Sequence, residues 1–138
     1  MRDTSLVSVI MNAHNAEAYL EEAIESVLNQ TYINWEIIFW DNNSSDSTGK
    51  IVSTFRDNRI KYYFSDSYST LGDARNRALG KASGNFIAFL DCDDIWLPEK
   101  LEKQIAVFNR GELVEDPAQE PSSKRKGTSV SFVPDENI

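Results

Sequence analysis

Phe86-Ile-Ala-Phe-Leu-Asp-Cys-Asp-Asp94 decides how the rest of the chain is read. Five apolar residues run directly into three carboxylates, Asp91, Asp93 and Asp94. A short apolar run of this kind suits a central parallel strand, buried on both faces. Its acids then fall at the strand's C-terminal end, where open α/β sheets bind ligands. Carboxylates this close repel one another, and the segment holds no lysine or arginine to balance them. A divalent cation is the natural counter-charge, and hard oxygen donors suit Mg²⁺ or Mn²⁺. The competing reading is a solvated acidic loop, which the neighbouring segments must discriminate against.

Outward from this stretch, strands alternate with helices. Residues 6–11, Leu-Val-Ser-Val-Ile-Met, read as the first strand, and Asn12, Ala13, His14 and Asn15 as the turn that follows. Tyr19, Leu20, Ala23, Ile24, Val27 and Leu28 form one stripe at helical spacing, with Asn15 as the expected N-cap and Glu17, Glu21 and Glu22 at the positive end of the dipole. Residues 36–40 read as a second strand ending at Asp41. Ser44 or Ser45 is expected to cap a helix that reaches Phe55 and turns Ile51 and Val52 to the sheet, with Asp46 in its first turn. A short strand over 60–64, a helix near 73–82, the 86–90 strand and a helix opened by Pro98 complete the series. This order predicts βα units and a mainly parallel sheet flanked by helices. Right-handed crossovers would gather the strand-end loops, and so Asp41 and the acid triplet, on one edge.

Composition removes several function classes. A formal net charge of −8 argues against nucleic acid as a partner, because backbone phosphates need a basic surface. One cysteine forms no intrachain disulfide and suits a reducing, cytoplasmic setting. One histidine excludes a His-rich zinc site. The chain has no run of 18 apolar residues and no apolar leader segment. It also lacks G-x-G-x-x-G, G-x-x-x-x-G-K-[ST] and G-x-S-x-G, which argues against dinucleotide-dependent dehydrogenases, P-loop enzymes and Ser-His-Asp hydrolases. Cys92 stands between two acids, which should raise its pKa and disqualify it as a nucleophile. What is left is a carboxylate-held cation plus Asp41, an acid able to accept from a base N–H or a ribose hydroxyl. This combination suits group transfer from a nucleoside diphosphate donor, with the metal neutralising the leaving group.

Four co-linear blocks now resemble a known family. Val7-Ser-Val-Ile-Met-Asn-Ala-His-Asn-Ala-Glu-Ala-Tyr-Leu20 with Ala23-Ile-Glu-Ser-Val-Leu-Asn-Gln-Thr-Tyr32, then Glu36-Ile-Ile-Phe-Trp-Asp-Asn-Asn-Ser-Ser-Asp-Ser-Thr48, Gly72-Asp-Ala-Arg-Asn-Arg-Ala-Leu79, and Phe89-Leu-Asp-Cys-Asp-Asp-Ile-Trp-Leu-Pro98 are similar to the family 2 glycosyltransferases of the GT-A fold. The resemblance implies an inverting transfer of a sugar from a UDP- or dTDP-type nucleotide sugar to a saccharide or lipid-linked acceptor, with Mn²⁺ or Mg²⁺. By position, it puts Asn12, Ala13, His14 and Asn15 against the nucleoside, Asp41 on the base and Arg75 nearby. Asp91 and Asp93 become the D-x-D pair, with Cys92 as a small spacer between them and Asp94 beside them as a further metal ligand. The family usually has proline where Asn12 stands and often glycine where Asn43 stands, although asparagine tolerates a left-handed turn conformation.

The blocks cover residues 6–108, so residues 1–109 are expected to form the nucleotide-sugar-binding domain. Residues 110–138 read as an irregular tail with one short strand near 128–133. No general base is identifiable among Glu112, Glu115, Asp116 and Glu120. The expectation is therefore a truncated GT-A domain with little turnover of its own, completed by further chain or by a partner subunit. Lys124, Arg125 and Lys126 could touch anionic lipid at the cytoplasmic membrane face, although a solvated linker accounts for them as well. Two alternatives remain open: a nucleotide-sugar-binding module without catalysis, and a Mg²⁺-binding receiver-like signalling domain. For the side chains, Trp40 and Trp96 read as packing residues, and His14 as a turn residue whose backbone meets the ligand. Arg75 reads equally well as a ligand or as a partner of Asp73.

Overall fold

The computed structural model describes residues 4–109 and 133–134. A sheet in the order β3-β2-β1-β4-β5 carries the molecule. The strands β1 (Val7–Ala13), β2 (Trp35–Asp41), β3 (Ile60–Phe64) and β4 (Phe86–Phe89) run parallel, and β5 (Val133–Pro134) closes one edge antiparallel to β4. The expected tail strand is thus met at Val133, while residues 128–132 lie outside the described residues. A receiver-like domain is excluded by the strand order: doubly wound signalling domains run 2-1-3-4-5, whereas here β1 stands between β2 and β4.

Alternation along the central strands builds two cores. Val7, Val9, Met11 and Ala13 of β1, with Trp35, Ile37 and Phe39 of β2, pack against α1 (Leu20–Leu28), α2 (Thr48–Ser53) and α4 (Lys100–Asn109). Ile10, Ile38 and Trp40 point the other way, onto Ala74 and Ala78 of α3 (Leu71–Leu79). Ile51, Val52 and Phe55 join the first core, as their spacing predicts. Trp40 and Trp96 are buried packing residues.

Several local expectations give way to longer-range bonding. β1 continues through Asn12 and Ala13, because β2 is there to pair with both. Asn15 does not cap α1, which begins at Leu20 with Tyr19 at its N-cap and no side-chain cap bond. The Asn15 Oδ1 instead accepts the Ser45 and Asp46 amides across the loop, and its φ of 53° makes the left-handed turn that asparagine tolerates. Neither Ser44 nor Ser45 caps α2. Asp46 precedes that helix and takes the Thr48 amide at 2.9 Å. Pro98 lies ahead of α4, and its carbonyl accepts from the Thr31 amide at 2.9 Å. Asn43 has a φ of 60°, the conformation expected of a glycine substitute.

At the sheet end opposite the strand C-termini, Gly84 passes so close to β1 that a Cβ would sit 2.7 Å from the Ser8 amide and 2.8 Å from the Leu6 carbonyl. These two obstacles are backbone, and the Ser8 hydroxyl crowds the same position at 2.6 Å. Gly84→Ala is therefore expected to destabilise the domain by about 1–3 kcal/mol, which is the usual cost of overpacking. Thermal unfolding with unchanged stability would refute this packing argument.

Candidate functional site

The chain runs outward from β1 to β2 and β3, then crosses back to β4 on the other side of β1. The strand order therefore reverses between β1 and β4, and ligand crevices open at the C-terminal ends of such a pair. The β1–β4 register pairs Ile10 with Phe89. It continues through the Leu90 amide, which donates to the Ile10 carbonyl at 3.0 Å, and through Cys92 Sγ, which donates to the Asn12 carbonyl at 3.3 Å. Asn12 and the acid triplet consequently meet at the switch point. On the other side of β1, Ala13 pairs with Asp41, so Asp41 and the triplet occupy the same sheet edge, as the sequence predicts.

Asp91, Asp93 and Asp94 each offer a carboxylate oxygen within 4.8 Å of the others. Asp91 and Asp93 are half-buried and Asp94 is buried. Burial and the charge of Asp93 push the Asp91 pKa up, against an opposing pull from Arg75. The residues thus fit a hard divalent cation in donor chemistry and spacing, and a cation would relieve the repulsion they carry. Arg75 does not pair with Asp73, which is bound by Arg77 Nε at 3.0 Å. Arg75 lies exposed, with its guanidinium 5.8 Å from the Phe89 ring. The Cys92 thiol is pushed far up by burial and then by Asp91, Asp93 and Asp41, so it stays protonated and is not a nucleophile.

Two clefts flank this point. One, of about 230 Å³, is lined by Ile10, Leu71, Arg75, Phe89 and Asp91 and lies on the α3 side. The other, of about 310 Å³, is lined by Ala13, His14, Asn15, Ala16 and Tyr19 and lies on the α1 side. Asn12, Cys92 and Asp93 border both. The Asn12 side-chain nitrogen is buried and has no hydrogen-bond partner among the described residues, a donor left over at the junction of the two clefts.

Asp41 belongs to the same edge, but its side chain turns inward. It is 1% exposed. Its Oδ1 accepts the Ser44 amide at 2.9 Å and its Oδ2 accepts the Tyr62 hydroxyl. Burial and the bond to Asp41 push the Tyr62 pKa well up, which keeps the phenol a donor. Gly49 makes room for this bond, since a Cβ there would lie 2.7 Å from the Tyr62 hydroxyl. The His14 ring is itself engaged within the chain: Nδ1 lies 2.8 Å from the Asn42 carbonyl and so carries the proton. Tyr62, Asn42 and Gly49 did not stand out in the sequence, because their partners lie in other strands and loops. Glu112, Glu115, Asp116 and Glu120 fall outside the described residues.

Comparison with known proteins places this geometry. The model described as Glycosyl transferase family 2 matches residues 8–126, continuing past the end of α4. The UDP-Glc:alpha-D-GlcNAc-diphosphoundecaprenol beta-1,3-glucosyltransferase WfgD of Escherichia coli is 48% identical over 111 residues, covering 80% of this chain and 44% of that protein. The chain thus spans less than half the length of this relative. S. aureus TarS 1-349 in complex with UDP-GlcNAc superposes with a TM-score of 0.72 at 31% identity, over 75% of this chain and 31% of that one. The mannosyltransferase PcManGT of Pyrobaculum calidifontis, in complex with GDP-Man and Mn2+, gives a TM-score of 0.61 at 26% identity, over 65% of this chain and 28% of that one. The parallel sheet, its switch-point acids and a family pattern spanning most of the sequence agree, and this chain belongs to glycosyl transferase family 2.

Proposed function

We propose that this chain binds a UDP-type nucleotide sugar at the β1–β4 switch point and belongs to an enzyme that transfers the sugar, with inversion, to a saccharide or lipid-linked acceptor. The observation that carries this reading is the cluster of the Asp91, Asp93 and Asp94 carboxylates at the switch point, with Asp93 bordering both clefts and Arg75 lining the cleft on the α3 side. The relatives support the class of chemistry: one is named for a UDP-glucose donor and a diphosphoundecaprenol acceptor, and one neighbour holds UDP-GlcNAc. We take the ion to be Mn²⁺ or Mg²⁺, held by Asp93 with Asp91 and Asp94, and a neighbour with GDP-Man and Mn2+ supports that choice. Such an ion supplies charge neutralisation to a departing diphosphate.

The chain's own residues bind and orient. Arg75 complements the diphosphate or the ribose edge. Asn12, with its spare amide donor, faces the donor where the two clefts join. Ala13, His14 and Asn15 form the nucleoside side, and Asp41 underlies it, fixed by Tyr62 and Ser44. Cys92 keeps the two metal-binding acids at their spacing. In the transfer, an acceptor hydroxyl oxygen bonds the anomeric carbon while the bond from that carbon to the diphosphate breaks, and a carboxylate takes the hydroxyl proton. That carboxylate is assigned to the acceptor-binding part of the enzyme. Among the described residues, no helix is long and apolar enough to cross a membrane. We place the protein at the cytoplasmic membrane face, where a lipid-linked acceptor presents its head group.

Calorimetry with UDP, in Mn²⁺ and in EDTA, tests the reading directly. Tight binding in Mn²⁺ and weak binding in EDTA is the expected result, and equal affinity in both removes the metal from the site. Asp41→Ala is expected to weaken UDP about tenfold with or without metal, because it removes the buried carboxylate bonds to Ser44 and Tyr62 that hold the nucleoside side in place, each of which is of the charged class. An unchanged affinity would reduce Asp41 to a turn-forming residue.

A further inference from the structure

The β3–α3 connection, residues 65–70, follows the end of β3 at the ligand edge, and Asn42 holds it there. Buried Asn42 donates from Nδ2 to the Ser69 carbonyl at 2.8 Å and accepts the Ser69 amide on Oδ1 at 3.0 Å. This two-way pairing needs a group that both donates and accepts, which an amide supplies and a carboxylate does not. The backbone of the same residue donates to the Ala13 carbonyl at 2.7 Å and accepts from His14 Nδ1 at 2.8 Å. One residue thereby ties together the loops that leave β1, β2 and β3. Next to Ser69, Tyr68 is 63% exposed and stands edge-on to His14, with ring centroids 4.8 Å apart. Thr70 then caps α3, the helix that carries Arg75. Residues 65–70 include Asp66 and no lysine or arginine, so they suit a flat neutral ring better than a phosphate.

We propose that Tyr68 is a contact residue at the nucleobase end of the donor site and that Asn42 is the positioning residue that holds it there. This rests on the donor-site reading above. An aromatic side chain that packs on a base typically changes affinity by about tenfold or more.

The test titrates UDP and inorganic diphosphate in Mn²⁺, and Mn²⁺ alone, into the full 138-residue chain and its variants. Tyr68→Ala is expected to weaken UDP about tenfold and to leave diphosphate and Mn²⁺ affinities unchanged. Asn42→Asp is expected to do the same, because it removes the donor to the Ser69 carbonyl. The double variant should lose no more than the larger single loss. Wild-type UDP affinity in Tyr68→Ala overturns the proposal. So do additive losses, or a parallel fall in UDP, diphosphate and Mn²⁺ affinity in Asn42→Asp. If Asn42→Asp fails to fold, the exposed Tyr68→Ala position still decides the contact role. A wild-type chain that does not bind UDP sinks the donor-site reading and this inference with it. Tight wild-type binding with a silent Tyr68→Ala removes only the inference.

Discussion

Asp93→Asn is expected to abolish most of the metal dependence of UDP binding while leaving the fold intact or slightly firmer. Asp93 borders both clefts and belongs to the carboxylate group whose oxygens lie within 4.8 Å of one another. A hard cation that keeps its phosphate and water ligands uses only one or two protein carboxylates, so each one counts. Losing even an outer partner of such an ion typically costs about 10–100-fold in affinity, and a direct ligand should cost at least as much. The variant should therefore bind UDP almost equally in Mn²⁺ and in EDTA. Stability should move the other way. Burial and Asp93 together raise the Asp91 pKa, so removing the Asp93 charge relieves repulsion in the metal-free chain. An asparagine variant with a clearly lowered melting temperature would contradict this, and would mean that Asp93 holds the loop together instead of serving a ligand.

The second large effect lies at the other end of the sheet. Glu36 is 3% exposed, yet it is well satisfied. Its Oε2 accepts the Ser8 hydroxyl at 2.6 Å and the Ser83 amide at 2.7 Å, and its Oε1 accepts Lys61 Nζ at 2.8 Å. Ser8 in turn accepts the Gly84 amide at 2.8 Å. One carboxylate thus joins β1, β2, β3 and the turn that enters β4. Burial alone would raise its pKa, but the bonds from Lys61, Ser8 and Ser83 prevail and hold it below the usual 4.5.

Glu36→Gln offers a single oxygen in place of two and turns an amide donor toward existing donors. The loss should be about 2–4 kcal/mol, as for a buried hydrogen-bonded charge deprived of its match. Lys61 is 45% exposed, so its share of that loss is small. The pH signature follows from the depressed pKa. The Glu36 contribution is fully present above the unfolded-state value near 4.5 and is lost as pH falls through the lower folded value. Wild-type melting temperature should drop through this acid window, and the drop should be shallower in Glu36→Gln. Parallel melting curves for the two proteins between pH 7 and pH 3 would show that Glu36 does not govern acid unfolding.

How much of this was legible follows the range of the interactions. The ranges of β2 and β4 were readable to within a residue or so, because a strand covered on both faces must be almost wholly apolar, and a solvated loop or a one-sided helix does not carry such a run. The stripe of α1 was equally plain, although its start was not. The N-cap rule counts only local donors, and Asn15 is engaged by Ser45 and Asp46, thirty residues away or more. The same reason hid Asn42, whose value lies in Ser69, His14 and Ala13. It also hid the inward turn of Asp41, set by a tyrosine on the neighbouring strand and a glycine that clears its path.

The sequence by itself determined the alternation of buried strands and one-sided helices, and with it the gathering of the strand-end acids on one edge. These are consequences of periodicity and burial, which each short segment expresses independently of the others. Only the tertiary structure decided the strand order that puts β4 beside β1. That order makes their ends a switch point and brings Asn12 against the acid triplet. It also decided which polar residues are spent on the scaffold, such as Glu36, Asn15 and Asn42, and which remain open to the cleft on the α3 side, such as Arg75 and Asp93. The physical reason is that a polar side chain's role is set by whichever partner reaches it first in space, and the partners here are brought close by sheet pairing, not by sequence.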